Sequence, residues 1–315
     1  MPRFRSSLPQ LDADRPYLTD GGLETDLVFH HGIDLPAFAA FPLLDSPEGR
    51  ETLSAYAREY LTLARDVDTG FVLGGLTWRA NADWGEVLGY SAADLDRVNR
   101  DAIAALSTLR DAFDDDISEI VLSGCIGPRG DGYVPGSQMS AAEAETYHRP
   151  QIETLADTEA DMIEAMTLSY VDEAIGIARA AQTAGIPSVI SFTVETDGRL
   201  PSGQPLADAV RQLDAATDAA PAYLMINCAH PTHFLNVLEG DWTQRIRAIR
   251  ANASTCSHAE LDEAEVLDEG DPGLLASDYR ELAEVLNLAV VGGCCGTDIR
   301  HVGAISGALL EAPLL

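Results

Sequence analysis

Two adjacent cysteines sit in the run Val290-Val291-Gly292-Gly293-Cys294-Cys295-Gly296-Thr297, and their type and spacing offer the most direct chemistry in the chain. Leu288 to Val291 reads as an apolar buried strand. Neighbouring side chains on a strand point to opposite faces, so both thiols reach one point only if the backbone leaves the β conformation there. Glycines on either side permit that bend. Two converging thiolates are most of a soft-metal site, and the missing ligand belongs at the end of a neighbouring strand. Cys228, closing Tyr223-Leu224-Met225-Ile226-Asn227-Cys228, is placed that way. Three cysteines leave a tetrahedral zinc ion one open position, the arrangement of a catalytic site. Two other readings stay open: a strained vicinal disulfide at the pair, or small residues in a turn with Cys228 a buried hydrophobe. Cys125 and Cys256 read as structural. His230 and His233 follow Cys228 closely and compete as ligands, although histidines at a helix start near a polar rim more often stay solvated or support the ligands.

The elements that must position these residues alternate along the chain. Strands are expected at Tyr17 to Gly22, Gly70 to Gly75, Ile117 to Cys125, Ala160 to Thr167, Pro187 to Val194, Ala222 to Asn227, Arg245 to Ala251 and Leu288 to Val291. Helical periodicity lies between them: Ser46 to Asp68, Ala93 to Phe113, Ala141 to Asp157, Asp172 to Ala184, Leu206 to Ala219, Pro231 to Leu238, Ser277 to Leu286 and His301 to Leu310. Residues 252 to 273 form an acidic stretch without periodicity, longer than loops usually are. Eight such units without a linker predict one (β/α)₈ TIM barrel spanning residues 1–315. The alternative, a doubly wound sheet, is weakened because no Gly-x-Gly-x-x-Gly opens the first helix. In a barrel the active site lies at the C-terminal strand ends, and Asp20, Thr77, Cys125, Thr167, Glu195, Cys228, Asn252 and the cysteine pair all fall there.

Composition narrows the function. The 315 residues carry a net charge of −31, and all 20 basic residues are arginine. Lysine-dependent chemistry, a Schiff base or a P-loop, is excluded. Nucleic acid and anionic membranes would be repelled. No apolar run approaches the ~20 residues needed to span a bilayer, and no signal peptide is recognisable, so a reducing cytoplasm is the expected compartment. Acid excess without lysine fits either halophilic adaptation or a plain acidic cytosolic enzyme.

Asp20-Gly21-Gly22-x-Glu24-Thr25, Ser123-Gly124-x-Ile126-Gly127-Pro128, Asn227-Cys228, Asn252 and above all Gly292-Gly293-Cys294-Cys295-Gly296-Thr297 resemble the homocysteine S-methyltransferase family, in order and from about Leu18 to Ile305. The resemblance implies that Cys228, Cys294 and Cys295 bind zinc and, through it, activate the substrate thiol. It also implies that Asp20 contacts the amino group of homocysteine, and Gly21, Thr77 and Asn252 are the further expected substrate contacts. A cationic sulfonium or betaine-like donor would supply the methyl group that turns homocysteine into methionine. Trp78, Trp84, Tyr90 and Tyr133, on the loops after strands, are available to surround an onium group. One departure is clear. Where the family usually ends its fourth strand in Glu-Thr, this chain has Met166-Thr167, with Glu164 on the same face but one layer deeper.

Three functions are therefore in play: methyl transfer from a cationic donor to homocysteine, the same transfer to a thiol lacking the amino group, and a non-catalytic zinc- or thiol-binding barrel. The partners are small molecules, and the oligomeric state is left open. The charge yields a test of its own. Self-repulsion at −31 is screened to ~3 Å at molar ionic strength, so under halophilic adaptation the thermal midpoint rises between low salt and about 1 M salt. A flat midpoint in a salt series counts against that reading.

Overall fold

Each apolar run hydrogen-bonds in parallel to the next, and the last returns to the first. The computed structural model describes residues 1–310. Its strands are β1 (Tyr17–Leu18), β2 (Phe71–Leu73), β3 (Ile120–Ile126), β4 (Met162–Leu168), β5 (Ser188–Phe192), β6 (Tyr223–Asn227), β7 (Ile246–Ala251) and β8 (Val290–Gly293). They close in chain order, with Tyr17 opposite Val290 and Leu18 opposite Val291, so the fold is a (β/α)₈ barrel and not a doubly wound sheet. The helices are α1 (Leu23–Thr25), α2 (Pro47–Asp66), α3 (Ala82–Leu88), α4 (Ala92–Ala112), α5 (Ala141–Ala156), α6 (Val171–Ala184), α7 (Leu206–Thr217), α8 (Pro231–Phe234), α9 (His258–Asp262), α10 (Pro272–Val285) and α11 (Ile299–Leu309). Among the described residues no helix is long and apolar enough to cross a membrane.

Local chemistry explains the boundaries. Ser46 caps α2 by accepting from the Gly49 amide, with Pro47 at the first helical position, and Leu53, Tyr56, Tyr60 and Leu61 bury one face. Gly185 ends α6 in the left-handed conformation at φ 69°. Two apolar layers result. One joins the outer strand faces to the helices. The other fills the barrel with Val72, Val121, Met162, Val189, Tyr223, Met225 and Val290. Residues before β1 close the floor of this inner layer: Leu8 packs into it, and the buried Gln10 amide donates to the Tyr223 hydroxyl at 3.4 Å.

Four local expectations change. β1 pairs only at Tyr17 and Leu18, because the chain beyond turns over β8, where the Gly293 amide donates to the Asp20 carbonyl and the Gly22 amide to the Thr297 carbonyl. In β8 both glycines pair with β7, opposite Arg250 and Ala251, so they complete the strand instead of bending it. They are needed for space: a Cβ on Gly292 would lie 2.4 Å from Thr19 Cγ2, and one on Gly293 2.0 Å from Thr297 Oγ1. The stretch from 252 to 273 holds α9, started by a reciprocal cap between Ser257 and Glu260, and α10 begins at Pro272 instead of Ser277. α3 was not foreseen, since a seven-residue helix is too short to display a periodicity.

One side chain secures the ends of β7 and β8. The buried Tyr279 hydroxyl on α10 donates to the Gly292 carbonyl at 2.6 Å and accepts from the Ala251 amide at 3.0 Å. Tyr279→Phe removes two hydrogen bonds that supplement the β7–β8 ladder at its buried end, and a denaturant titration is expected to show a loss of ~0.5 to 1.5 kcal/mol. A loss below about 0.5 kcal/mol would mean that water replaces the hydroxyl.

Candidate metal centre

Three strand ends bring three sulfurs together. Cys228 follows β6, Cys294 and Cys295 follow β8, and their Sγ atoms all lie within 4.8 Å of one another. The Cys228 and Cys295 sulfurs are 3.8 Å apart. Tetrahedral sites with metal–sulfur bonds near 2.3 Å require sulfur pairs about 3.8 Å apart, so the set fits a zinc-sized soft cation. All three thiols are free, and the pair forms no vicinal disulfide.

The bend that lets adjacent cysteines converge comes after the glycine pair. The Cys294 amide still donates to the Ala251 carbonyl at 2.8 Å, in line with β8. Beyond it the chain turns, with Gly296 at φ 77° and the Thr297 hydroxyl donating to the Cys294 carbonyl at 2.7 Å. Cys228 itself is left-handed at φ 54°, as is Thr167 at φ 63° after the body of β4. Non-glycine residues held there cost of order 1 to 3 kcal/mol each and persist only where the surroundings impose them.

Those surroundings can be named. Asn227 accepts from the Thr167 amide at 2.8 Å and the Ser191 hydroxyl at 2.5 Å, and its amide nitrogen donates to Thr167 Oγ1 at 2.8 Å and approaches Cys294 Sγ at 3.7 Å. The Cys228 carbonyl accepts from His258 Nε2 at 2.7 Å, Asn252 Nδ2 at 3.1 Å and Thr193 Oγ1 at 3.3 Å. His258 Nδ1 faces Glu195 at 3.1 Å, and the Tyr133 ring stacks on the imidazole with centroids 4.1 Å apart. The Tyr133 hydroxyl reaches Cys295 Sγ at 3.5 Å. His258 is a residue that sequence reasoning missed. A histidine in an aperiodic acidic stretch gives no sign that it reaches back to β6.

Electrostatics separate the thiols. Hydrogen bonds from Cys294 and Cys295 hold the Cys228 thiol well below its usual value, and the same bonding pushes Cys294 up to about 12. Three thiolates gathered at one point repel one another, and a bound cation would offset that repulsion. Beside them lies a buried charged cluster. Arg250 Nη2 donates to Asp20 Oδ1 at 2.6 Å and to the Gly21 carbonyl at 3.1 Å, and Nε to the Gly293 carbonyl at 3.0 Å. Burial opposes the Arg250 charge, but Asp20 and Glu164 outweigh it and raise the arginine's affinity for its proton. Burial pushes the Asp20 and Glu164 carboxyls up, and Arg250 counteracts both shifts.

Above the sulfurs opens a cavity of about 400 Å³. Its wall includes the three cysteines, Asp20, Gly21, Glu24, Trp78, Arg79, Tyr133, Met166 and Arg250. Of the expected substrate contacts, Asp20 and Gly21 line it. Thr77 does not: its hydroxyl donates to the Cys125 carbonyl at 2.6 Å. Asn252 stands behind Cys228, on that residue's carbonyl. Glu164 is buried one layer below the wall, where Met166 faces the cavity. Glu24 supplies a wall carboxyl from α1, and its surroundings of protein push it up to about 7. His230 and His233 are neither ligands nor solvated. Both are buried, with His233 Nε2 on the Thr255 carbonyl at 2.9 Å and His230 facing Asp278 at 3.5 Å. Of the four aromatic residues expected around an onium group, Trp78 and Tyr133 line the cavity. Tyr90 instead donates to Asp45 at 2.5 Å, and Trp84 stacks on Arg79.

Comparison with known proteins agrees with this architecture. Residues 17–309 match the family described as "Homocysteine S-methyltransferase". The homocysteine S-methyltransferase of Escherichia coli (strain K12) is 22% identical over 313 residues, covering 94% of this chain and 96% of that one. Crystal structures of the homocysteine methyltransferase MmuM from Escherichia coli superpose with a TM-score of 0.74 for the oxidized form and 0.73 for the metallated form. Each is 20% identical; the two alignments cover 94% and 95% of this chain and 97% and 98% of those. With nearly the whole barrel inside the family match, the chain belongs to the homocysteine S-methyltransferase family.

Proposed function

We propose that the protein is a zinc-dependent S-methyltransferase that moves a methyl group from a cationic donor to the thiol of homocysteine. The observation that carries this reading is the spacing of Cys228, Cys294 and Cys295 on the floor of the cavity. When bound there, zinc would supply the positive charge that keeps a substrate thiol deprotonated at neutral pH. That MmuM, which shares the fold, has a metallated form is consistent with a metal in this chain.

The remaining work falls to the chain. Asn227 and the carbonyl bonds of His258 and Asn252 fix the direction of the sulfurs. An amino group on the substrate finds the Asp20 and Glu24 carboxylates in the wall, near the floor. Asp131, Asp262 and Asp268 also line the cavity and favour a cationic donor over a neutral one. In the transfer a sulfur–carbon bond forms as the onium–carbon bond breaks. The bonding pair returns to the donor heteroatom, which leaves neutral, and alignment of the two molecules accounts for much of the acceleration.

Purified protein is expected to hold about one zinc per chain, and Cys228→Ser or Cys294→Ser to lose it, by elemental analysis. Full occupancy in both variants would sink the metal assignment.

Met166 favours a second reading, a thiol without the amino group, because it puts a thioether where the family usually has a carboxylate. Asp20 is a poor probe of this choice, since its loss also strands Arg250. Glu24→Gln is cleaner. If homocysteine is the substrate, Glu24→Gln is expected to cost ~2 kcal/mol or more in kcat/KM for homocysteine and little for a thiol of equal length without the amino group. Met166→Glu is expected to restore part of it. Equal effects on the two thiols would favour the second reading.

A further inference from the structure

Among the described residues, Arg79 is a buried cation without a hydrogen-bond acceptor. It lies on the loop between β2 and α3, is 8% exposed and lines the same cavity as the three thiols. Two indoles hold it: its guanidinium carbon is 3.6 Å from the Trp84 ring centre and 4.4 Å from that of Trp78. Trp78 is fixed through its indole, and Trp84 only through its backbone, its Nε1 having no partner among the described residues. Trp78 Nε1 donates to the Met166 carbonyl at 3.4 Å, and the Trp84 amide is capped by Asn81 at 3.3 Å. The ring faces offset part of the cost of burying the charge, but they accept none of its N–H groups in the guanidinium plane. Among the described residues, Arg79 Nε and Nη1 are buried with no hydrogen-bond partner.

Its neighbours do not repair this. The Asp131 and Glu24 carboxylates act on Arg79 through their charge, but neither hydrogen-bonds it, and Asp131 Oδ1 accepts instead from the Tyr133 and Val134 amides at 2.8 and 3.1 Å. The other arginine among the described residues of the wall, Arg250, is bonded to Asp20, Gly21 and Gly293. A buried guanidinium without a hydrogen-bonded anion is costly, and its planar fork matches a carboxylate, the anionic group that an amino-acid substrate would carry. The site is also selective against its surroundings: in a chain of net charge −31, an anionic ligand needs a local cation to enter at all.

We infer that Arg79 is the carboxylate anchor of the cavity, and that the substrates it selects carry a carboxylate as well as the reacting sulfur or onium group. The inference rests on the proposed methyl transfer only for where the ligands bind. That carboxylate could belong to the thiol acceptor or to the methyl donor, and one experiment separates them.

Dissociation constants are measured calorimetrically on the zinc-loaded full chain for two matched pairs: homocysteine against 3-amino-1-propanethiol, and S-methylmethionine against dimethyl(3-aminopropyl)sulfonium. Wild type is expected to prefer the carboxylate-bearing member of at least one pair by about 30-fold or more, and Arg79→Met to abolish that preference without weakening the carboxylate-free member. The pair that collapses identifies the owner of the carboxylate. Arg79→Gln serves if the methionine variant does not fold, because the ratio within a pair does not depend on the folded fraction. No preference in wild type, or an unchanged one in the variant, overturns the inference. Turnover followed in parallel tests the function separately. Transfer with an unchanged preference overturns only the role of Arg79, whereas a collapsed preference without transfer by wild type to any thiol overturns only the methyltransferase reading.

Discussion

Arg250 reinforces the seam at which the barrel closes. β1 offers two residues to β8 and one to β2, the thinnest pairing around the ring, and the chain leaves the sheet directly afterwards. From β7 the guanidinium reaches across the end of β8 to Asp20, Gly21 and Thr19, so one side chain spans three consecutive strand ends. Removing either member of a buried pair commonly costs ~3 to 5 kcal/mol because the other is left uncompensated. The same bonds hold the Gly293 carbonyl directly before the cysteine pair. Stability of the barrel and placement of two of the three sulfurs are therefore the same requirement.

The strain at Thr167 and Cys228 belongs to this arrangement. A regular strand would carry Cys228 past the cavity floor. The left-handed turn places its sulfur beside Cys295, and the carbonyl thereby exposed is met by His258, Asn252 and Thr193. The convergence of the three sulfurs is held by a shell of hydrogen bonds drawn from β4 to β7 and from the stretch before α10.

What was legible in the sequence follows from range. Apolar runs separated by amphipathic stretches define strands and helices locally, and a cysteine pair at the end of one run, with a single cysteine at the end of another, points to convergence once a barrel is assumed. Long-range reach is not written in spacing. His258 meets β6 from thirty residues away, and Asn252 and Thr77 look like cavity residues until their backbone partners are seen. The glycines of β8 were correctly singled out but for the wrong reason, since a crowded strand and a bend ask for the same residue. Arg79 could not have been read at all. An arginine between two tryptophans in sequence is ordinary, and only burial without an acceptor makes it unusual.

The floor of the barrel bears on the order of synthesis. The Arg3 and Phe4 amides donate to Asp161 across 158 and 157 residues, and Gln10 meets Tyr223 across 213. Since chains emerge from the ribosome N-terminus first, at ≈ 5–20 residues/s, this early segment waits for Asp111 and Asp114, which pair with Arg3, then for Asp161 and Tyr223, before its partners exist. Until then the inner apolar layer is open from below, and the plug is among the last parts of the fold to find its place.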